Sequence, residues 1–282
     1  MPEGPEIRRM VDDIDRAVGN RDAESVFFAF DRFKRFESAL AGRHITRVAA
    51  RGKAVLIHFA GRGDDGPWCV YSHNQLYGKW YINAPDTAPQ TNRQLRFAVF
   101  THHRTARLYS ASDIRLVRPD ALDSVDYIAR LGPDPLNENL NSADIAHRIN
   151  ASDFARRNLG GLLLDQRFIA GIGNYLRSEI LFSAGIAPGK RPTDLDATQR
   201  RALAEAVVTL IWRAYQTKGV TNPFERAQRL KAEGKRFGAR RHMVFGRAGQ
   251  PCYVCDNEIV KTTVASRRLY YCPVCQQSDD GG

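Results

Sequence analysis

The chain has no run approaching the ~18 consecutive apolar residues of a membrane-spanning helix, so no membrane partner is expected. Cysteine is scarce, five in 282 residues, which excludes a disulfide scaffold; those are shorter and denser in cysteine. No internal repeat is evident, which sets aside repeat architectures. The start, Met1-Pro2-Glu3-Gly4-Pro5-Glu6, is acidic and lacks the apolar stretch of a signal peptide, so a cytoplasmic location is the expectation. Negative charge is in short supply: 42 Lys and Arg against 31 Asp and Glu leave a net charge of +11. Such an excess points to a polyanionic partner, with a merely basic surface as the alternative.

What is present falls into distinct stretches. Ile7, Met10, Val11, Ile14 and Val18 recur at helical spacing and predict an amphipathic helix over 3–18. From about 25 to 118, short runs rich in β-branched and aromatic residues alternate with Gly, Asp, Pro and Asn. Ser25–Phe30, His44–Val48, Ala54–Phe59, Trp68–Tyr71, Gly78–Ile82, Arg96–Phe100 and Arg107–Tyr109 are the clearest, and their spacing predicts an antiparallel sandwich or barrel. Cys69 lies in one such run and reads as a buried core thiol. Leu131-Gly132-Pro133-Asp134-Pro135 reads as a linker. Helices are expected over 142–150, 159–165, 174–184 and 196–216, with cap signals at Asn141…Asp144 and Asp196…Gln199.

The other four cysteines form Cys252-x2-Cys255-x16-Cys272-x2-Cys275, the spacing of a structural zinc site. Four thiolates complete a tetrahedron and leave no position for an activated water. Between the pairs, Glu258–Val264 and Leu269–Tyr271 read as strands, with Ala265-Ser266-Arg267-Arg268 as the turn. That hairpin either presents Arg267 or Arg268 to a ligand or carries ordinary exposed arginines.

Three further features carry chemistry. Gly171 and Gly173 permit close backbone approach, and the helix starting at Asn174 has an N-terminus suited to phosphate, although a tight helix–helix turn explains the same pattern. Methionine ahead of proline is normally removed, which frees the Pro2 amine. With a pKa near 8, that amine is partly neutral at neutral pH and can attack an anomeric carbon to give an iminium. Glu3 and Glu6 stand beside it as acid–base candidates, or as acids that merely favour a helix start. Lys53 sits at a turn before a strand, where a lysine is usually just solvated, and in Tyr71-Ser72-His73-Asn74-Gln75-Leu76-Tyr77-Gly78 the residues Gln75, Leu76 and Tyr77 either fill a gap in a base stack or form a plain strand edge with a turn. Arg226, Arg229, Lys231, Lys235, Arg236, Arg240, Arg241 and Arg247, with Phe237 and Phe245 between them, fit phosphate contacts or a solvated basic face.

Together Pro2-Glu3-Gly4-Pro5-Glu6, Arg51-Gly52-Lys53, Leu131–Leu136, Gly171-Ile172-Gly173-Asn174-Tyr175 and the four-cysteine finger resemble the bacterial Fpg/Nei family of DNA glycosylases over essentially the whole chain. Tyr71–Gly78, Leu108–Asp113 and Lys261-Thr262-Thr263 are most similar to its endonuclease VIII branch. The Gly61–Pro67 loop is longer than that pattern and is expected on the surface, clear of these motifs.

The resemblance implies an α+β fold. A helix-flanked antiparallel β-sandwich (1–126) and a linker (127–135) would precede a helix–two-turn–helix domain (136–225). A basic loop region (226–250) and a four-cysteine zinc-finger β-hairpin (251–276) would follow. It implies a monomeric, nucleoid-associated base-excision enzyme with one structural Zn2+ and no catalytic metal, acting on damaged double-stranded DNA. Pro2 would attack C1′ of a flipped nucleotide, Glu3 would assist ring opening and proton transfer, and Lys53 would support catalysis. Asn174 and Arg267 would grip the flanking phosphates, Gln75, Leu76 and Tyr77 would fill the void, and Glu6 and His73 would complete the DNA-contacting set. Excision of oxidised pyrimidines followed by β,δ-elimination is the activity implied. The alternatives are an oxidised-purine glycosylase and a non-catalytic zinc-ribbon nucleic-acid-binding protein, which leaves Pro2, Glu3 and Lys53 without a role.

Overall fold

The computed structural model describes residues 2–138 and 140–277. The chain forms two compact units, one of Pro2 and Ile7–Arg130, the other of Glu3–Glu6 and the chain from Leu131 onward.

The first unit takes in most of helix α1 (Gly4–Val18), then β1 (Arg21–Asp22), β2 (Ser25–Phe28), α2 (Asp31–Leu40), β3 (His44–Arg51), β4 (Ala54–Phe59) and β5 (Trp68–His73). β6 (Lys79–Asn83), β7 (Leu95–Phe100), β8 (Thr105–Tyr109), β9 (Asp113–Val117) and the short α3 (Asp126–Ala129) follow. The strands pair antiparallel into two sheets, ordered β1-β3-β4-β5-β9 and β2-β7-β8-β6, whose inward residues share one core with Ile7, Val11, Ile14 and Val18 of α1. β3 shows how sequence sets register. Ile45, Val48 and Ala50 face inward, and the odd spacing between the first two is absorbed by a bulge between Ile45 and Arg47.

One element departs from the strand-only reading of 25–118. Residues 31–40 form α2, whose inward Phe33 and Leu40 lie seven apart in a Phe-rich segment; aromatic content raises strand propensity and masks the helical period. Asp113–Val117, inside the stretch read as strands, pairs with β5 as an edge strand. The Gly61–Pro67 loop is exposed but stapled: Asp65 accepts from Arg118 Nη2 at 2.6 Å and from the buried Arg43.

The second unit contains α4 (Ser142–Ile149), α5 (Leu159–Leu162), α6 (Asn174–Ser183), α7 (Ala197–Gln216), α8 (Phe224–Ala232), α9 (Phe237–Arg241), β10 (Val260–Val264) and β11 (Arg267–Tyr271). Both anticipated caps are capping boxes. Asp144 N–H donates to Asn141 Oδ1 at 3.1 Å while Asn141 N–H donates to Asp144, and Asp196 and Gln199 repeat the exchange at the start of α7. Instead of a helix over 159–165 there is the single turn α5. The stretch 226–250, expected as a basic loop region, carries most of α8 and all of α9. The hairpin loop is also tighter than expected. Val264 pairs with Arg267, so only Ala265 and Ser266 turn, both at positive φ (51° and 57°), and the two arginines open β11.

Candidate active site and DNA interface

Gly4 N–H donates to the Gly171 carbonyl at 2.8 Å, which lays the first residues of the chain along the 171–173 turn. The approach leaves no room for side chains: a Cβ on Gly4 would lie 2.8 Å from Gly171 Cα, and one on Gly173 would lie 2.4 Å from Glu3 Cδ. Through it the Glu3 carboxylate reaches the start of α6. Gly173 N–H donates to Oε2 at 2.8 Å, Leu176 N–H to Oε2 at 3.2 Å and Tyr175 N–H to Oε1 at 2.7 Å.

This corrects the reading of the α6 N-terminus as a phosphate site. Its N–H groups and positive dipole are taken by Glu3, which is buried. The two glycines admit the chain's own N-terminus. Pro2, half-buried, is the residue bonded to this fixed point. Glu6 is held by the Tyr175 hydroxyl, which donates to both its oxygens (3.0 and 3.2 Å), and by Arg241 Nη2 at 3.4 Å. Burial pushes the Tyr175 phenol well above its usual range, with the charges of Glu6 and Glu3 acting the same way, so the hydroxyl stays a donor.

Asn174, half-exposed, sits at the first turn of α6 and uses Oδ1 to accept from Arg177 Nη2 at 2.7 Å. With the oxygen so engaged, the amide N–H groups are what it can offer an anion. Arg267 is exposed at the start of β11, and its carbonyl also accepts from Arg177 Nη2, at 3.3 Å. The four cysteine sulfurs lie within 4.8 Å of one another, with Cys252–Cys275 at 3.8 Å and Cys255–Cys272 at 3.4 Å. Tetrahedral zinc with ~2.3 Å bonds needs sulfurs about 3.8 Å apart, so the set fits a structural Zn2+. Cys252 and Cys272 pack with Phe182, Val244, Ile259 and Tyr270 in a small core of their own.

Not all of the basic stretch is available to DNA. Arg247 is buried, donates to the Met243 and Pro251 carbonyls and lies 3.3 Å from the Tyr253 ring centroid. Arg226 donates to the Tyr253 carbonyl, and Arg241 to that of Gly219. Arg229, Lys231, Lys235 and Arg236 remain exposed.

In the first unit, Gly52 (φ 57°) and Lys53 form the two-residue loop between β3 and β4, and Lys53 N–H donates to the Tyr127 hydroxyl at 2.8 Å. The Tyr127 ring packs against His73 with centroids 4.9 Å apart. His73 Nδ1 accepts from Gln75 N–H at 3.0 Å. Burial lowers the His73 pKa; Asp113 opposes the shift and Lys53 adds to it, so the ring is neutral with its proton on Nε2. Ser112 Oγ donates to Gln75 Oε1 at 2.9 Å, and Tyr71 donates to Asp113 at 3.1 Å. The turn closes with Gly78 N–H on the Asn74 carbonyl at 2.7 Å and holds Leu76 and Tyr77 in solvent, 59% and 70% exposed. Two adjacent large apolar side chains held outward suit insertion into a base stack.

Thus the structure gathers Lys53, His73, Gln75, Leu76 and Tyr77 in one unit, and Glu3, Glu6, Asn174, Arg267 and the four cysteines in the other. The sequence reading missed Tyr127, Glu179 and Arg177. Tyr127 carries no local signal. Arg177 and Glu179 are charges inside the apolar run Tyr175–Phe182, a pattern that calls for buried partners. Glu179 finds them in the N–H groups of Met243, Val244 and Phe245 (2.8, 2.8 and 2.9 Å) and the Thr221 hydroxyl (2.6 Å).

Comparison with known proteins agrees with this layout. Residues 1–117 match the formamidopyrimidine-DNA glycosylase N-terminal domain, 131–225 the formamidopyrimidine-DNA glycosylase H2TH domain, and 249–277 the zinc finger found in FPG and IleRS. The chain is 43% identical over 277 residues to Endonuclease 8 of Shigella sonnei (strain Ss046), covering 98% of this chain and 100% of that one. Endonuclease 8 of Escherichia coli O9:H4 (strain HS) matches at the same identity and coverage. A crystal structure of wild-type Lactococcus lactis Fpg with DNA containing an oxidised pyrimidine has the same fold, with a TM-score of 0.78 at 22% identity over 98% of this chain and 100% of that one. The chain therefore belongs to the Fpg/Nei family of DNA glycosylases, in its Endonuclease 8 branch.

Proposed function

We propose that this protein is a bifunctional DNA glycosylase and AP lyase that excises oxidised pyrimidines through the amine of Pro2. The observation that carries the reading is the fixed Glu3. Three backbone N–H groups and the start of α6 hold its carboxylate, which anchors the residue bonded to Pro2.

Once Met1 is removed, the neutral secondary amine attacks C1′ of the extruded nucleotide. The C1′–N bond breaks and the base departs with a proton. Opening of the sugar ring leaves a C1′ iminium on Pro2. Glu3 faces the positive charge that develops there and serves as the proton relay for O4′. The iminium acidifies the C2′ protons, so loss of one expels the 3′ phosphate, and a second elimination expels the 5′ phosphate. Water then hydrolyses the iminium and restores the amine. Lys53 contacts DNA beside the reacting sugar, Asn174 and Arg267 take the flanking phosphates, and Gln75, Leu76 and Tyr77 occupy the vacated stack. Glu6 and His73 support these contacts. Zinc, bound by the four cysteines, supplies rigidity to the hairpin and no reacting group.

Duplexes carrying thymine glycol and 8-oxoguanine opposite cytosine test the reading. Faster release of thymine glycol with nicking is expected. Preference for 8-oxoguanine would overturn the pyrimidine assignment, and binding without base release would favour a non-catalytic zinc-ribbon protein.

A further inference from the structure

Arg177 stands outside every recognisable motif, yet its side chain is fully buried. Nη1 donates to the Gly160 carbonyl at 2.8 Å and the Val264 carbonyl at 3.1 Å. Nη2 donates to Asn174 Oδ1 at 2.7 Å and to the carbonyls of Arg268 (2.9 Å) and Arg267 (3.3 Å). Every one of these acceptors is neutral, an unusual environment for a cation taken out of water. Burial lowers the group to about 10, with Glu3 opposing and Arg267 reinforcing the shift, and it remains charged at neutral pH.

The acceptors have a common theme. Val264, Arg267 and Arg268 flank the hairpin loop, Gly160 lies on α5, and Asn174 opens α6. Gly160 completes the fit, because a Cβ there would lie 3.3 Å from both Val264 Cγ1 and Leu269 Cδ1. A planar fork of N–H donors can span acceptors on α5, α6 and both strands of the hairpin at once; an ammonium cannot hold that geometry.

We infer that Arg177 is a positioning residue that joins Asn174 and the Arg267 hairpin into one phosphate-gripping unit. By taking Asn174 Oδ1 it fixes the amide flip, so that N–H groups face the anion. By taking the carbonyls around the loop it sets the strand from which Arg267 projects. The inference rests on the proposed roles of Asn174 and Arg267 and adds the group that aligns them.

The test is a double-mutant cycle on lesion-containing duplex with the zinc-loaded protein, combining Arg177→Lys with Asn174→Ala and following Kd, its salt dependence and zinc content. R177K alone should weaken binding about ten-fold with zinc retained. N174A should cost about ten-fold in the native background and less than about two-fold in the R177K background. Additive losses, or unchanged binding by R177K, would overturn the positioning role alone. No loss for either N174A or R267A in the native background would overturn the phosphate-grip reading beneath it. Should R177K fail to fold, Asn174→Asp decides. It gives Arg177 a charged acceptor and removes the donors, so Tm should hold or rise while affinity falls about ten-fold or more. A lower Tm, or unchanged affinity, would overturn the proposal.

Discussion

Gly173→Ala isolates the contact that fixes the chain's N-terminus. The backbone there is extended (φ −134°), so alanine meets no conformational strain and the effect is steric. Its Cβ would sit 2.4 Å from Glu3 Cδ, where ordinary carbon contacts begin near 3.5 Å. Glu3 must withdraw by about 1 Å, which breaks or stretches the bonds from Gly173, Tyr175 and Leu176 N–H. Hydrogen bonds to a charged group contribute about 1.5–3 kcal/mol each, so losing two at the low end costs about 3 kcal/mol. For a domain of this size that lowers Tm by roughly 6–12 °C. Gly189→Ala is the matched control, since nothing lies within 4 Å of a Cβ at that position. Calorimetry reads the Tm, and borohydride trapping on damaged DNA reads the alignment of Pro2. A G173A protein with native Tm and native trapping would refute the claim that the Glu3 contact organises the site.

Cys272→Ser should release zinc, unfold the hairpin core around Ile259 and Tyr270 and abolish DNA binding, while the sandwich unit stays folded; hydrogen exchange with zinc analysis checks both halves. Arg267→Ala should weaken DNA binding by about 1–3 kcal/mol and reduce the salt slope by about one; equal affinity and slope would remove Arg267 from the phosphate grip. Acid stability should depend on His242, which stacks on Tyr175 with centroids 5.0 Å apart and whose pKa burial, with the Arg241 charge, lowers to about 3. Its contribution is fully present above the unfolded pKa near 6.5. It is lost as pH falls towards 3, by about 1.4 kcal/mol per pH unit, because the unfolded chain takes the proton first. His242→Phe should flatten denaturant-unfolding stability over that window, and an unchanged slope would show that His242 is not the group responsible.

How much of this was legible in the sequence depended on whether a signal was local. Each cysteine pair, both capping boxes and the amphipathic α1 rest on spacings of three or four residues, and the two cysteine pairs have only 16 residues between them, all within reach of a local pattern. The Gly171-Ile172-Gly173 turn was visible as a place of close approach, but not what approached it. Glu3 lies about 170 residues away in sequence, and no local pattern distinguishes a carboxylate from a phosphate as the occupant. Sequence separation also hides Arg177, whose acceptors on the hairpin come from 87 to 91 residues downstream. Helix α2 is concealed differently, by phenylalanines whose strand propensity masks the helical period.

The central claim is that Pro2 is the nucleophile, and borohydride reduction during turnover of thymine-glycol DNA tests it most directly. Peptide mapping of the trapped complex should place the sugar on the amine of Pro2, with no adduct when Met1 is retained. An adduct on Lys53, or none from a correctly processed N-terminus, would contradict the account.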